Sequence, residues 1–234
     1  MRRFVLLFVS GWWLALASFC MGAGFQVTPI LQEISMGEET ALYQVRNTGE
    51  SPVTIQVSAR SWHQENGERV TLDTAGVQSS PPLITLEPGQ DEWVRVTLTE
   101  KRTNEEQAFR VYFSQVPETA QTLSPGVRTL IRLDTPLFFQ AREPKTNLQW
   151  ALQLDEAGWH LQVHNVGTRF GQMTRLAVET DGGRRLPILE SVRYILPGAS
   201  ESWLLDLTDD EARGGLSLQV VSGGQVQFQP LKPD

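Results

Sequence analysis

Cysteine is almost absent from this chain of 234 residues: the single one, Cys20, falls inside an N-terminal apolar run. A disulfide framework and cysteine-based metal or redox motifs are thereby excluded, so the core alone must stabilise the folded part. Histidine is scarce too, with three residues, and the 20 lysines and arginines are outnumbered by 27 aspartates and glutamates, for a formal charge of −7. Such a surface disfavours nucleic acid and anionic membranes as partners, which makes any local cluster of arginines conspicuous. The chain shows no amphipathic helical period, no phosphate-cradling glycine motif and no nucleophile elbow. These absences argue against an enzyme and imply no cofactor.

What is present begins with an export signal. Arg2 and Arg3 form a basic start, Phe4 to Cys20 is apolar, and Gly22-Ala23-Gly24 supplies the small residues a signal peptidase needs. The run is short for a membrane-spanning helix, so residues 1–24 are expected to be removed, with no stable membrane insertion afterwards. Phe19 is bulkier than lipoprotein processing before Cys20 would accept. Losing two of the 20 basic residues against 27 acidic ones takes the mature chain from −7 to −9. The roughly 210 residues that remain suit two domains of about 100 each.

Alternating segments recur from Phe25 to Phe139: Phe25–Ile34, Thr40–Val45, Val53–Ala59, Glu92–Leu98, Ala108–Val116 and Val127–Phe139. Turn chemistry separates them at Asn47-Thr48-Gly49, Asn66-Gly67 and Pro88-Gly89. A second set follows at 148–154, 159–163, 175–179, 203–207, 216–221 and 226–228. Asn47-x-Gly49 returns as Asn165-x-Gly167, and Pro88-Gly89 before Trp93 returns as Pro197-Gly198 before Trp203. The expectation is an all-β protein of two consecutive immunoglobulin-like β-sandwich domains, residues 25–141 and 142–234, duplicated from one plan. The boundary is placed in the polar, proline-bearing stretch 141–145.

His160 and His164 lie on one strand with Trp159, Leu161 and Val163 on its other face. At about 13 Å apart they cannot share a metal ion. Asp209-Asp210-Glu211 reads as an exposed turn rather than an acid–base pair. The informative segment is Val127 to Phe139, longer than an ordinary strand. One face carries Val127, Thr129, Ile131, Leu133, Thr135 and Leu137. Such a strand can lend its backbone and apolar row to a partner, or it can be a long final strand used by its own sheet; spacing alone favours neither. Arg110, among Phe109, Val111, Tyr112 and Phe113, can present a guanidinium fork to a carboxylate, though without further context a side chain reaching outward to water is the commoner outcome.

In order, these segments resemble the periplasmic chaperones of chaperone–usher pilus assembly: Phe25–Ile30, Val45–Gly49, Pro52–Val57 with Trp62, Leu86–Gly89, Phe109–Val111, the long strand 127–139, Leu161–Gly167 and Tyr194–Gly198. The resemblance implies a protein of the periplasm that binds pilus subunits by donor-strand complementation and passes them to an outer-membrane usher. Such a protein can also cap its own donor strand by self-association. It implies a donor row of Val127, Thr129, Ile131 and Leu133. The best-known members hold the subunit's C-terminal carboxylate with an arginine and a lysine where this chain has Gln32 and Pro136. The wording around Arg110 and Thr135-Pro136-Leu137 looks more like the archaic branch. Arg110 then becomes the anchor, with Arg142 or Lys145 as its second partner. The competing expectation is an immunoglobulin-like adhesion module, a complete sandwich with no strand to lend.

Overall fold

The two Asn-x-Gly segments build the same local structure twice in the computed structural model, which describes residues 24–117 and 129–232. Asn47 and Asn165 are both buried. Asn47 Oδ1 accepts the Gly49 N–H (2.8 Å), and its Nδ2 donates to the carbonyls of Ser51 and Leu86. Asn165 Oδ1 accepts the Gly167 N–H (2.9 Å), and its Nδ2 donates to the carbonyls of Arg169 and Ile195. The proline–glycine turns complete each unit. Gly89 N–H donates to Asn47 O and Gly198 N–H to Asn165 O, both glycines holding the left-handed backbone that side chains resist (φ 77° and 74°). A short polar side chain satisfying three backbone groups is what lets a turn be buried at the end of a sandwich.

The first domain contains β1 (Phe25–Thr28), β2 (Gln32–Ile34), β3 (Thr40–Asn47), β4 (Val53–Glu65), β5 (Glu68–Asp73), β6 (Val77–Ser80), β7 (Leu83–Leu86), β8 (Asp91–Leu98), β9 (Gln107–Gln115) and β10 (Arg132–Phe139). One sheet has the order β1-β3-β8-β6; the other runs β2-β10-β9-β4-β5, with β7 also on β4. Alternation puts Tyr43, Val45, Ile55, Val94, Val111, Phe113 and Leu137 between the sheets, fully buried, with Tyr43 edge-on to Phe113 at 5.4 Å. The opening segment, read as one strand over 25–34, is two: β1 pairs β3 in one sheet and β2 pairs β10 in the other. Pro29 and the exposed Ile30 carry the chain across.

The second domain contains β11 (Leu148–Asp155), β12 (Gly158–Asn165), β13 (Gly171–Met173), β14 (Arg175–Thr180), β15 (Arg185–Leu189), β16 (Arg193–Ile195), β17 (Ser200–Leu205), β18 (Leu216–Ser222) and β19 (Gln225–Leu231). They form sheets β11-β12-β17, β13-β16 and β15-β14-β18-β19. Between β17 and β18 lies a helix, α1 (Asp209–Gly214), where an exposed turn was expected. Thr208 explains it. Its side chain accepts the Glu211 N–H while Glu211 Oε2 accepts the Thr208 N–H at 3.0 Å, a capping box with three acids at the favourable helix end. Six residues are too few to show a helical period in the sequence.

Candidate functional site

The strand expected over 127–139 is shorter as built. Regular pairing starts at Arg132, and Val127 lies outside the described residues. The reason is its neighbour. β9 ends at Gln115, whose N–H donates to Ile131 O (2.9 Å), and Val116 then turns to bond Thr54 O. With no rung beyond Ile131, Thr129 and Leu130 have no strand assignment and stand exposed.

Along the face of β10 that carries the expected donor positions, burial falls steadily toward the N-terminus. Phe139, Leu137 and Thr135 are buried; Leu133 and Ile131 are half-buried against the top of the core; Thr129 is exposed. The row that closes the core therefore rises out of it. Its backbone is also open on one side. β10 is bonded to β9 along its length, but β2 covers only Leu137–Phe139 on the other edge. Among the described residues, Arg132–Pro136 has no strand on that side. Pro136, which sheets tolerate at edges, sits at the last uncovered position.

The outer face of this sheet is cationic, against the trend of the whole chain. Arg60 on β4 and Arg110 on β9 stand directly opposite each other. Like charges so placed repel, and each is compensated on its far side. Arg60 Nη2 lies 3.0 Å from Asp73 on β5, although its Nε is buried without an acceptor. Arg110 donates from Nε to Asp134 Oδ1 at 2.7 Å and lies over the Trp62 ring at 4.8 Å. Asp134 Oδ2 is taken at 2.8 Å by Arg69 Nη1, reaching across from β5. Arg132 lies over Tyr112 at 4.1 Å. Arg110 is 8 % exposed, so its charge is held largely out of water by aromatic neighbours and one carboxylate.

Arg142 and Lys145, the other two anchor candidates, are exposed on the connection between the domains. Among the described residues no hydrogen bond or ion pair joins either to Arg110. Lys145 instead uses its backbone against Thr168 and Arg169. The arginines that accompany Arg110 are Arg60 and Arg69, which the sequence reading passed over. Nine positions apart on either side of the Asn66-Gly67 turn, they share no spacing along the sequence, and it takes the β4–β5 register to bring them to Arg110.

The domains meet just below this face. Trp62 and Phe138 of the first domain belong to the hydrophobic core of the second, Phe138 stacking on Phe170 at 4.0 Å and Trp62 edge-on to Tyr194 at 5.5 Å. The β4–β5 hairpin acts as an arm. Gln64 donates to Tyr194 O and accepts from Leu196 N–H, and the Gly67 tip lies so close that a Cβ there would sit 3.2 Å from Glu201 Cγ. On the other flank, Glu33 receives Arg169 through two bonds of 3.0 and 2.7 Å.

Between arm and flank lies a cleft of about 620 Å³ lined by Trp62, His63, Glu105, Glu106, His164 and the turns 165–168 and 196–199. Glu106 Oε1 accepts the Phe170 N–H, while its Oε2 is buried with no partner. Burial pushes its carboxyl up to about 7, and the bond from Phe170 withdraws only part of that rise. Burial also raises Glu201, against the pull of Arg193. His160 and His164 take opposite ends of β12, with Trp159, Leu161 and Val163 buried behind them. Among the described residues no three metal-ligating side chains converge. No helix among them is long and apolar enough to cross a membrane.

A sequence model described as pili and flagellar-assembly chaperone, PapD N-terminal domain, matches residues 24–145. A comparison with curated protein sequences finds no match. Several solved structures share the fold at low identity. One is the chaperone–tip adhesion subunit complex CsuC–CsuE from archaic chaperone–usher Csu pili of Acinetobacter baumannii, with TM-score 0.69 and 18 % identity over 91 % of this chain and 100 % of that one. The E. coli chaperone DraB gives 0.64 and 17 % over 91 % and 97 %. The Salmonella enterica SafA pilin complex with the SafB chaperone gives 0.60 and 22 % over 89 % and 95 %.

Proposed function

The chain belongs to the family of pili and flagellar-assembly chaperones, and from that premise we propose that it is an exported periplasmic chaperone which lends β10 to pilus subunits and delivers them to an outer-membrane usher. One observation carries the reading. β10 combines an open backbone edge over Arg132–Pro136 with a side-chain row, Ile131 and Leu133, that is only half-buried in the free protein. Strand addition needs both: main-chain bonds supply affinity, and alternate side chains supply fit. Thr129 continues the row upstream, where a subunit groove would receive it; Val127, the remaining expected donor position, lies outside the described residues. An adhesion module with a closed sandwich would have this edge covered.

Arg110 is the proposed anchor for the subunit's C-terminal carboxylate, with Arg69 and Arg60 rather than Arg142 or Lys145 as its companions. Burial among aromatics strengthens a guanidinium–carboxylate pair by removing competing water. Nothing is cleaved and no cofactor is called for; the work done is occupation of an unfinished sandwich. The test is co-expression with pilin-like genes neighbouring this one, followed by purification through a tag on the chaperone. A stoichiometric subunit in the eluate supports the reading. Subunits that fold and stay soluble equally well without this protein refute it.

A further inference from the structure

Resting on the strand-lending reading, we propose that Asp134 is an internal stand-in for the subunit's carboxylate, occupying the arginine clamp of the empty protein and setting how strongly that clamp takes an external one. Asp134 projects from β10 itself, on the face opposite Ile131 and Leu133. Its two oxygens are divided between two guanidiniums, Oδ1 to Arg110 at 2.7 Å and Oδ2 to Arg69 at 2.8 Å. Two arginines from different strands converging on one carboxylate is the geometry a carboxylate ligand would need, here filled from within.

The physical reason for the arrangement is the burial of Arg110. A guanidinium 8 % exposed is costly without a counter-charge, and it stands opposite a second arginine. Asp134 supplies that charge while no subunit is present, so the clamp neither collapses nor captures stray anions strongly. An incoming carboxylate meets three arginines, Arg60, Arg69 and Arg110, against Asp73 and Asp134. It gains from the residual positive charge but must share Arg69 and Arg110 with Asp134. The interaction that stabilises the free protein is thus one the ligand competes with. Removing the charge of Asp134 should weaken the free fold and strengthen carboxylate binding, two effects of opposite sign that a purely structural role would not produce together.

The experiment uses the mature full-length protein, wild type and Asp134→Asn. The probe is one synthetic peptide of alternating valine and threonine behind a soluble Ser-Gly tail, made with a free C-terminal carboxylate and with an amide cap. Binding of the amide form measures strand addition alone; the ratio of acid to amide affinity measures the clamp. The expected result is a lower melting temperature for Asp134→Asn and an acid-to-amide ratio raised by roughly tenfold, the size of one charge-assisted bond. An unchanged or reduced ratio, with the amide peptide still bound, overturns the stand-in role and leaves strand lending intact. Failure of both peptides to bind wild type overturns strand lending and this inference with it.

Discussion

Glu33 and Arg169, 136 positions apart, meet across the domain junction in a two-bond pair of 3.0 and 2.7 Å, on the flank opposite the β4–β5 arm. Each partner is only partly exposed, at 21 % and 38 % of its side chain. With Gln64 bonded to Tyr194 and Leu196 on the other side, the second domain is gripped at two points around the Phe138–Phe170 stack. The angle between the domains, and hence the cleft between arm and flank, follows from these contacts.

Arg169→Ala is expected to loosen that grip without unfolding either sandwich. Glu33 would keep its bond from Gln140, so its charge is not left alone. The loss is about 1 kcal/mol for a half-exposed pair, or about 2–4 °C in melting temperature. Differential scanning calorimetry should show the transition broaden or split as the domains uncouple. A single, unshifted transition would assign the coupling to the aromatic stack alone.

Arg110→Ala should separate capture from folding. Asp134 keeps Arg69, so the free protein loses about 1–3 kcal/mol rather than its fold. Capture of subunit, measured by co-purification, is expected to fall below detection, because a desolvated charge pair missing one partner costs about 3–5 kcal/mol. Arg142→Ala and Lys145→Ala, on the exposed connection, should capture nearly as well as wild type. Normal capture by Arg110→Ala would remove it from the anchor role.

Ile131→Asp and Arg132→Asp test the donor row by comparing neighbours on opposite faces. Ile131 is half-buried against the rim of its own core, so an aspartate there should lower the melting temperature of the free protein by a few degrees only. In the complex the same charge enters an apolar groove at a cost of several kcal/mol, and subunit yield should vanish. Arg132→Asp loses its contact with Tyr112 but stays outside the groove, so most of the yield should remain. Collapse of free Ile131→Asp would show that the position belongs to the chaperone's own core.

Glu106 sets an expected pH dependence. Its folded carboxyl is raised from 4.5 to about 7, so the folded state holds the proton more tightly than the unfolded one. The stabilisation is complete below about pH 4.5 and is lost as pH rises toward 7. Glu106→Gln should flatten this slope, gaining about 1–2 kcal/mol on wild type between pH 5 and pH 8 after allowing for partial exposure. Urea melts of both proteins at the two pH values measure it. Parallel curves would mean that water or Arg169 compensates the ionised form.

Much of the architecture is decided by residues that act on near neighbours. Alternation sorts Ile55, Val57, Val111 and Phe113 to one face whatever strand they later meet. Asn47 and Asn165 bind the glycine two residues on, which is why the duplicated plan could be read from Asn-x-Gly and Pro-Gly alone. Even the helix at 209–214 was written locally, in Thr208 and Glu211. What only the tertiary structure decides is whatever depends on the partner strand. β10 begins at Arg132 because β9 stops at Gln115, and its edge is open because β2 is three residues long. Arg60, Arg69, Arg110 and Asp134 converge through the registers of β5, β4, β9 and β10, which alternation leaves free to slide by two. Side-chain spacing sets the face a residue takes, whereas only strand pairing sets which charge stands opposite it.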